Sequence, residues 1–167
     1  MSKLQILVTQ YNEDEALIKP LLDSIEHQYN IDLQKDIEVF IGNDGSDTKL
    51  SIEFLQQYSF PIQYHFFEHS RLAGCRGKLF NLATADYIMY CDADDMFLSN
   101  IAISQILLMM EKGFDMLVAD FVEESHVTGK LIYIPHTKDP VFVHGKVYRR
   151  QFLLDNEIIW HPELHEN

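Results

Sequence analysis

Apolar runs and stretches of helical period alternate along the first two-thirds of the chain. Residues 4–8 form a compact apolar run and predict a buried strand. Residues 13–28 predict a helix: Leu17, Leu21 and Ile25 recur at helical spacing, and acidic residues fill the first turn. Pro20 conflicts with a straight helix and predicts a late start or a kink. Residues 37–41 predict a second buried strand. Ser46 or Asp47 can cap a helix reaching about Tyr58, with Ile52 and Leu55 inward. Residues 62–67 predict a third strand, 73–85 a looser helix weakened by Gly74 and Gly77, and 86–91 a fourth strand. Ser99 or Asn100 can cap a helix through Ile103, Ile106, Leu107 and Met110 that closes at Gly113. Residues 116–122 and 130–134 predict two antiparallel strands, and 148–154 a short helix.

Strands alternating with helices predict an α/β fold, a parallel sheet with right-handed crossovers and helices on both faces. The last third breaks the alternation, so the sheet is expected to be mixed. In such sheets ligands bind at the carboxyl ends of the strands, where the strand order reverses.

Composition narrows the function. The 167 residues are about one domain, and a hydrophobic fraction of 47% excludes a disordered chain. The net charge of −13 argues against nucleic acid as a partner, and no basic stripe offsets it. The nearest cationic groups are Arg71, Arg76 and Lys78, then Lys146, Arg149 and Arg150. Cys75 and Cys91 cannot make a disulfide framework and suit a reducing compartment. No signal segment or apolar run of membrane-spanning length is visible, so a cytoplasmic unit is expected, with peripheral association at the inner face of a membrane left open.

Polar clusters follow three of the predicted parallel strands and should share one sheet edge: Thr9, Gln10, Tyr11, Asn12 and Glu13; then Asn43, Asp44, Gly45, Ser46 and Asp47; then Asp92, Ala93, Asp94 and Asp95. Two readings stand for the last cluster. If the chain is extended there, Asp92 and Asp94 point to one side and offer hard oxygen ligands to magnesium or manganese, ions usually shared with substrate phosphates. Alternatively the cluster is an acidic turn before the next helix. Tyr11 offers a face for a base, and Asp44 an acceptor for a base edge; a turn with a helix cap explains the second cluster equally. Arg71, Arg76 and Lys78 can meet phosphates or be ordinary surface cations. His126, His136, His144, His161 and His165 crowd the last third, either as exposed histidines or with one completing a metal site.

Taken together these residues resemble glycosyltransferase family 2, the inverting nucleotide-sugar transferases of the GT-A fold. LQILVTQYNE (4–13) resembles the first strand and base-binding turn, and IEVFIGNDGSD (37–47) the second strand with its base-contacting aspartate. RGKLFNLATADYIMYCDADD (76–95) resembles the helix leading into the metal-binding DxD strand. VHGKVYRRQFL (143–153) and WHPELHE (160–166) resemble the later basic segment and the acidic motif that carries the base.

The resemblance implies a three-layer, Rossmann-like sandwich with a mostly parallel, mixed central sheet. It divides the chain into a nucleotide-binding half, 1–98, and the start of an acceptor-side half, 99–167. It implies that Tyr11 and Asp44 bind the base, most often uracil, and that Thr9 and Glu13 support that pocket. Arg76 would lie near the diphosphate, Asp92 would contact ribose or metal, Asp94 would be the main ligand of Mn2+ or Mg2+, and Asp95 would help orient the donor sugar. The partners implied are a nucleotide-sugar donor, with UDP-sugar expected, and a glycan, lipid-linked or protein acceptor. The family places an aspartate after Glu166, where this chain has Asn167, so Glu166 is the candidate base; the plainer reading is a charged terminal residue. The chain is also expected to stop short of the elements that complete an acceptor site, which would favour a nucleotide-sugar-binding module and leave an apolar patch for self-association. A phosphoacceptor domain also gathers aspartates at strand ends, but gives Tyr11 and Arg76 no role.

Overall fold

The computed structural model describes residues 3–125, 127–138, 143 and 145–160. In chain order the elements are β1 (Leu4–Gln10), α1 (Glu15–Glu26), β2 (Ile37–Asp44), α2 (Ile52–Leu55), β3 (Ile62–Phe67), α3 (Arg71–Leu82), β4 (Tyr87–Asp92), α4 (Ala102–Met110), β5 (Met116–Val118), β6 (Phe121–Glu124), β7 (Leu131–Ile134), β8 (Lys146–Arg149) and α5 (Arg150–Asp155). A six-stranded sheet runs in the order β3-β2-β1-β4-β8-β5. Its first four strands are parallel, while β8 is antiparallel to both β4 and β5. The sheet is therefore mostly parallel and mixed, as expected. Strands β6 and β7 pair in a separate hairpin.

Residue parity distributes the core over both faces of the sheet. On one face Leu4, Ile6 and Val8 of β1 pack with Ile37, Val39 and Ile41 of β2 and with Tyr87, Met89 and Cys91 of β4. Helix α1 covers them with Ile18, Leu21, Leu22 and Ile25, and α4 with Ile103 and Ile106. On the other face Leu7, Phe40, Ile88 and Tyr90 meet Cys75, Leu79 and Phe80 of α3 and Leu153 of α5. Gln5 is buried, and its carbonyl oxygen accepts the amides of Thr84 and Ala85 at 2.7 and 2.9 Å, so its polarity is met rather than stranded.

Several elements differ from the sequence reading. Asp14 caps α1 through its carboxylate, which accepts from the Leu17 amide, and Pro20 lies inside the helix. The buried stripe is broader than expected on one side and lost on the other: Ile18 and Leu22 join Leu21 and Ile25, while Leu17 faces solvent. The helix expected from Ser46 is one turn capped by Ser51, because Ser46 is committed elsewhere, its hydroxyl accepting from the Asn12 amide. Phe54 is buried there and Ile52 is exposed, while Leu55 packs on the core as expected. Ser99 and Asn100 do not cap α4; their carbonyls accept from Gln28 and Tyr29, tying this loop to the end of α1. The predicted strand at 116–122 divides, β5 joining the main sheet and β6 the hairpin. Tyr148 and Arg149, expected in the helix over 148–154, belong instead to strand β8, in which fully buried Val147 sits between Met89 and Leu117, and the helix starts at Arg150.

One glycine fixes the distance between α3 and the sheet. A Cβ on Gly42 would lie 2.9 Å from Phe67 Cε2 and 3.0 Å from both Cys75 Sγ and Leu79 Cγ. Gly42→Ala is therefore expected to push α3 outward at a cost of about 1–3 kcal/mol, the range for overpacked cores. Urea unfolding measures it, and a change below about 0.5 kcal/mol, the range of neutral surface substitutions, would show that α3 has slack.

Candidate active site

The strand order reverses at β1. The chain moves outward from β1 through β2 to β3, then returns to place β4 on the other side of β1. The crevice at such a reversal is where open α/β sheets hold ligands. A cavity of about 410 Å3 opens there, lined by Thr9, Tyr11 and Glu13 after β1, Asp44 at the end of β2, His69 and Arg71 at the start of α3, and Asp92 and Asp94 at the end of β4.

Strand parity explains the convergence. Thr9, the second-last residue of β1, and Asp44 and Asp92, the last of β2 and β4, share parity with Leu7, Phe40 and Tyr90 and so lie on the face that α3 covers. Arg76 rises from α3 beneath them. It is buried, its guanidinium donates to Asp92 Oδ1 at 2.7 Å, and its Cζ lies 5.0 Å from the centre of the Trp160 ring. The Thr9 hydroxyl reaches the same carboxylate oxygen at 3.4 Å. The chain does not stay extended after Asp92. It turns, with the Asp95 amide donating to the Asp92 carbonyl and the Asp95 carboxylate accepting from the Asp92 amide. Asp92 and Asp94 still both line the cavity.

The loops after β1 and β2 are locked together. The Gln10 side chain donates to the Glu13 carbonyl at 2.7 Å, and Asn43 donates to Gln10 at 3.0 Å and to the Tyr64 hydroxyl at 2.8 Å. Asn12 accepts from the Asp47 amide. The Glu13 carboxylate accepts from the Tyr11 amide, which sets the tyrosine at the cavity mouth, half exposed. Asp44 is buried; its Oδ1 accepts from the Ser70 amide and hydroxyl at 2.8 Å each, and its Oδ2 lies 3.0 Å from His69 Nδ1. Arg71 adopts φ of 64°, a left-handed conformation that costs a non-glycine residue about 1–2 kcal/mol. The bonds from Ser70 to Asp44 hold it there, so strain is stored at the cavity wall. Cys75 also lines the cavity, but burial pushes its thiol up to about 12, so it is no nucleophile at neutral pH.

The donor set suits a hard divalent cation. Asp92 and Asp94 supply two carboxylates across one turn, and such ions are commonly held by one or two carboxylates with substrate phosphates and water completing the shell. Among the described residues no group of three metal-ligating side chains gathers anywhere, so a cation at this edge would depend on its substrate for the remaining ligands.

A family model for glycosyl transferase family 2 matches residues 5–160. The chain belongs to that family. No curated protein matches it. Among solved structures it is similar to Staphylococcus aureus TarS 1-349, at 20% identity and a TM-score of 0.74, over 98% of this chain and 52% of that one. A TarS 1-349 structure in complex with UDP gives 18% identity and a TM-score of 0.77 over the same shares. The mannosyltransferase PcManGT from Pyrobaculum calidifontis, in complex with GDP-Man and Mn2+, gives 16% and 0.70, over 97% of this chain and 48% of that one. The GT-A fold expected from the sequence is thus the fold observed, and the chain spans about half the length of these relatives. No helix among the described residues is long and apolar enough to cross a membrane.

Of the family's expected site residues, Thr9, Tyr11, Glu13, Asp44, Asp92 and Asp94 share the cavity. Arg76 stands behind Asp92, and Asp95 braces the turn. Glu166 lies outside the described residues, as do His126, His144, His161 and His165. His69 and Ser70 were missed. The available signal was positional: they follow the third parallel strand and so reach the same edge as the other clusters.

Arg76→Met keeps an apolar stem against Trp160 and removes the charge. Breaking a fully buried pair costs about 3–5 kcal/mol, and the partial exposure of Asp92 lowers the expectation to about 2 kcal/mol. Urea unfolding checks this; a loss under about 0.5 kcal/mol would show that Asp92 does not need the guanidinium.

Proposed function

We propose that this chain is a glycosyltransferase domain that binds a nucleoside-diphosphate sugar, with UDP as the nucleotide, at the edge formed by β1, β2 and β4. The observation that carries the reading is the convergence of Thr9, Tyr11, Glu13, Asp44, Asp92 and Asp94 at the strand-order reversal of a family 2 fold. The TarS structure with UDP and the mannosyltransferase structure with GDP-Man and Mn2+ support the donor class and the metal.

In this reading the ring of Tyr11 stacks against the base and the Asp44 carboxylate accepts a base N–H. Thr9 and Glu13 hold those two groups in place. Asp92 and Asp94 would hold manganese or magnesium, which when bound supplies positive charge to the diphosphate as it leaves. Arg76 balances Asp92 from below and Arg71 brings a second cation to the cavity wall, so an acidic protein can accept an anionic donor. Asp95 keeps the turn that presents Asp94. On the acceptor side, Glu166 takes the proton of an acceptor hydroxyl. The hydroxyl oxygen forms its bond to the anomeric carbon as the bond from that carbon to the diphosphate oxygen breaks, with inversion. The acceptor is a glycan, a lipid-linked saccharide or a protein.

Calorimetric titration with UDP, with and without manganese, tests the donor site. Metal-dependent binding is expected, weakened about 100-fold, or about 2.7 kcal/mol, in Asp94→Ala. Glu166→Gln is expected to keep UDP binding and to lower transfer from UDP-sugars by about 100-fold to 10,000-fold, the span of general-base contributions. A folded protein that binds no nucleotide contradicts the reading; binding with no turnover across acceptors would reduce it to a binding domain.

A further inference from the structure

Resting on the donor reading above, we propose that His69 is an internal competitor for the nucleobase. A base held by Tyr11 and Asp44 must bring two things: a flat aromatic face and an N–H aimed at the carboxylate. His69 already supplies both. Its ring centre lies 4.6 Å from that of Tyr11, with the planes 31° apart. Its Nδ1 lies 3.0 Å from Asp44 Oδ2 and 2.9 Å from the Asp44 carbonyl oxygen. Both partners are acceptors, so Nδ1 carries the hydrogen. The imidazole thus copies, within one side chain, the stacking and the hydrogen bond that a base would make.

The pair leaves no room for a base to insert. Two stacked rings around a third need about twice the ordinary stacking distance, and Tyr11 and His69 are already in contact. Asp44 is no more accessible: its side chain is only 4% exposed, and its other oxygen is taken by Ser70. His69 must therefore move before a base can use Asp44 together with the face of Tyr11 that the imidazole covers.

The local structure lets the ring move without the loop. A Cβ on Gly45, which has φ of 75°, would lie 3.0 Å from both the Cβ and the amide nitrogen of His69, so the backbone of residue 69 is packed directly against the turn after β2. Ser70 is bonded to Asp44 on one side and to the Lys78 ammonium on the other. The His69 side chain, by contrast, is 48% exposed. Release is a side-chain rotation into solvent, with the backbone held. A ligand that uses the base site must displace the imidazole. One that engages only the Asp92 and Asp94 end of the cavity does not.

The test compares UDP and inorganic pyrophosphate, each with manganese, on the full chain and on His69→Ala. UDP is expected to bind the variant about tenfold more tightly, equivalent to about 1.4 kcal/mol of relieved competition, with pyrophosphate affinity unchanged. In the unaltered protein, NMR with magnesium in place of manganese should show through-space contacts between the rings of His69 and Tyr11 that vanish as UDP saturates the site. Equal or weaker UDP binding by His69→Ala, or persistence of those ring contacts with UDP bound, overturns the proposal and leaves the donor reading standing. If neither protein binds UDP, the donor reading itself fails and this inference falls with it.

Discussion

The guanidinium of Arg76 lies buried beneath the edge of the sheet, 2.7 Å from a carboxylate oxygen of Asp92, and the rest of the site is arranged around that pair. An arginine out of water needs a partner, because the cost of stripping its hydration is otherwise unmet. Asp92 ends β4 and so fixes where α3 must lie relative to that strand. Gly42 provides the space: only a residue without a side chain lets Cys75 and Leu79 come so close to β2. Trp160 closes the arrangement by placing its ring over Arg76 and edge-on to Tyr90, at 5.3 Å between centres.

From this constraint the edge acquires its chemical character. Parallel pairing brings Thr9 and Asp92 to one face at one height, with Thr9 opposite Gly42 and Asp92, and Asp44 follows on the same face two residues beyond Gly42. Four carboxylates, Glu13, Asp44, Asp92 and Asp94, line one cavity and repel unless answered. Asp92 has Arg76, Asp44 has Ser70 and His69, and Asp94 is carried on a turn at the cavity itself. Asp44 and Asp92 are thus answered within the protein, while Asp94 is placed at the cavity for a ligand. The covered carboxylates give shape, and Asp94 lies where the proposed donor and its cation would meet the protein.

Much of this was legible in the sequence, for identifiable reasons. Strand β3 falls on residues 62–67 as predicted, since its apolar and aromatic run is bounded by Pro61 and by polar residues after Phe67. The site residues after β1, β2 and β4 were legible because strand ends project in one direction whenever strands are parallel. Strand β8 was hidden because Lys146, Val147, Tyr148 and Arg149 show no run of apolar residues, and it is its place between β4 and β5, burying Lys146 and Val147, that makes them a strand. The stripe of α1 differs because the face packed on the sheet is the 18, 21, 22 and 25 face, which leaves Leu17 outward. The place of His69 after β3 was legible, but its contacts were not. They join it to Tyr11 and Asp44, 58 and 25 positions away, and no local pattern announces that pairing.

The central claim is spatial: the nucleotide lies where the strand order reverses. Amide NMR of the full chain titrated with UDP and magnesium tests it most directly. The account predicts shifts concentrated at residues 9–13, 44–46, 69–72 and 92–95, the ends of β1, β2, β3 and β4. Shifts centred on the β6–β7 hairpin, or none in a folded sample, would contradict it.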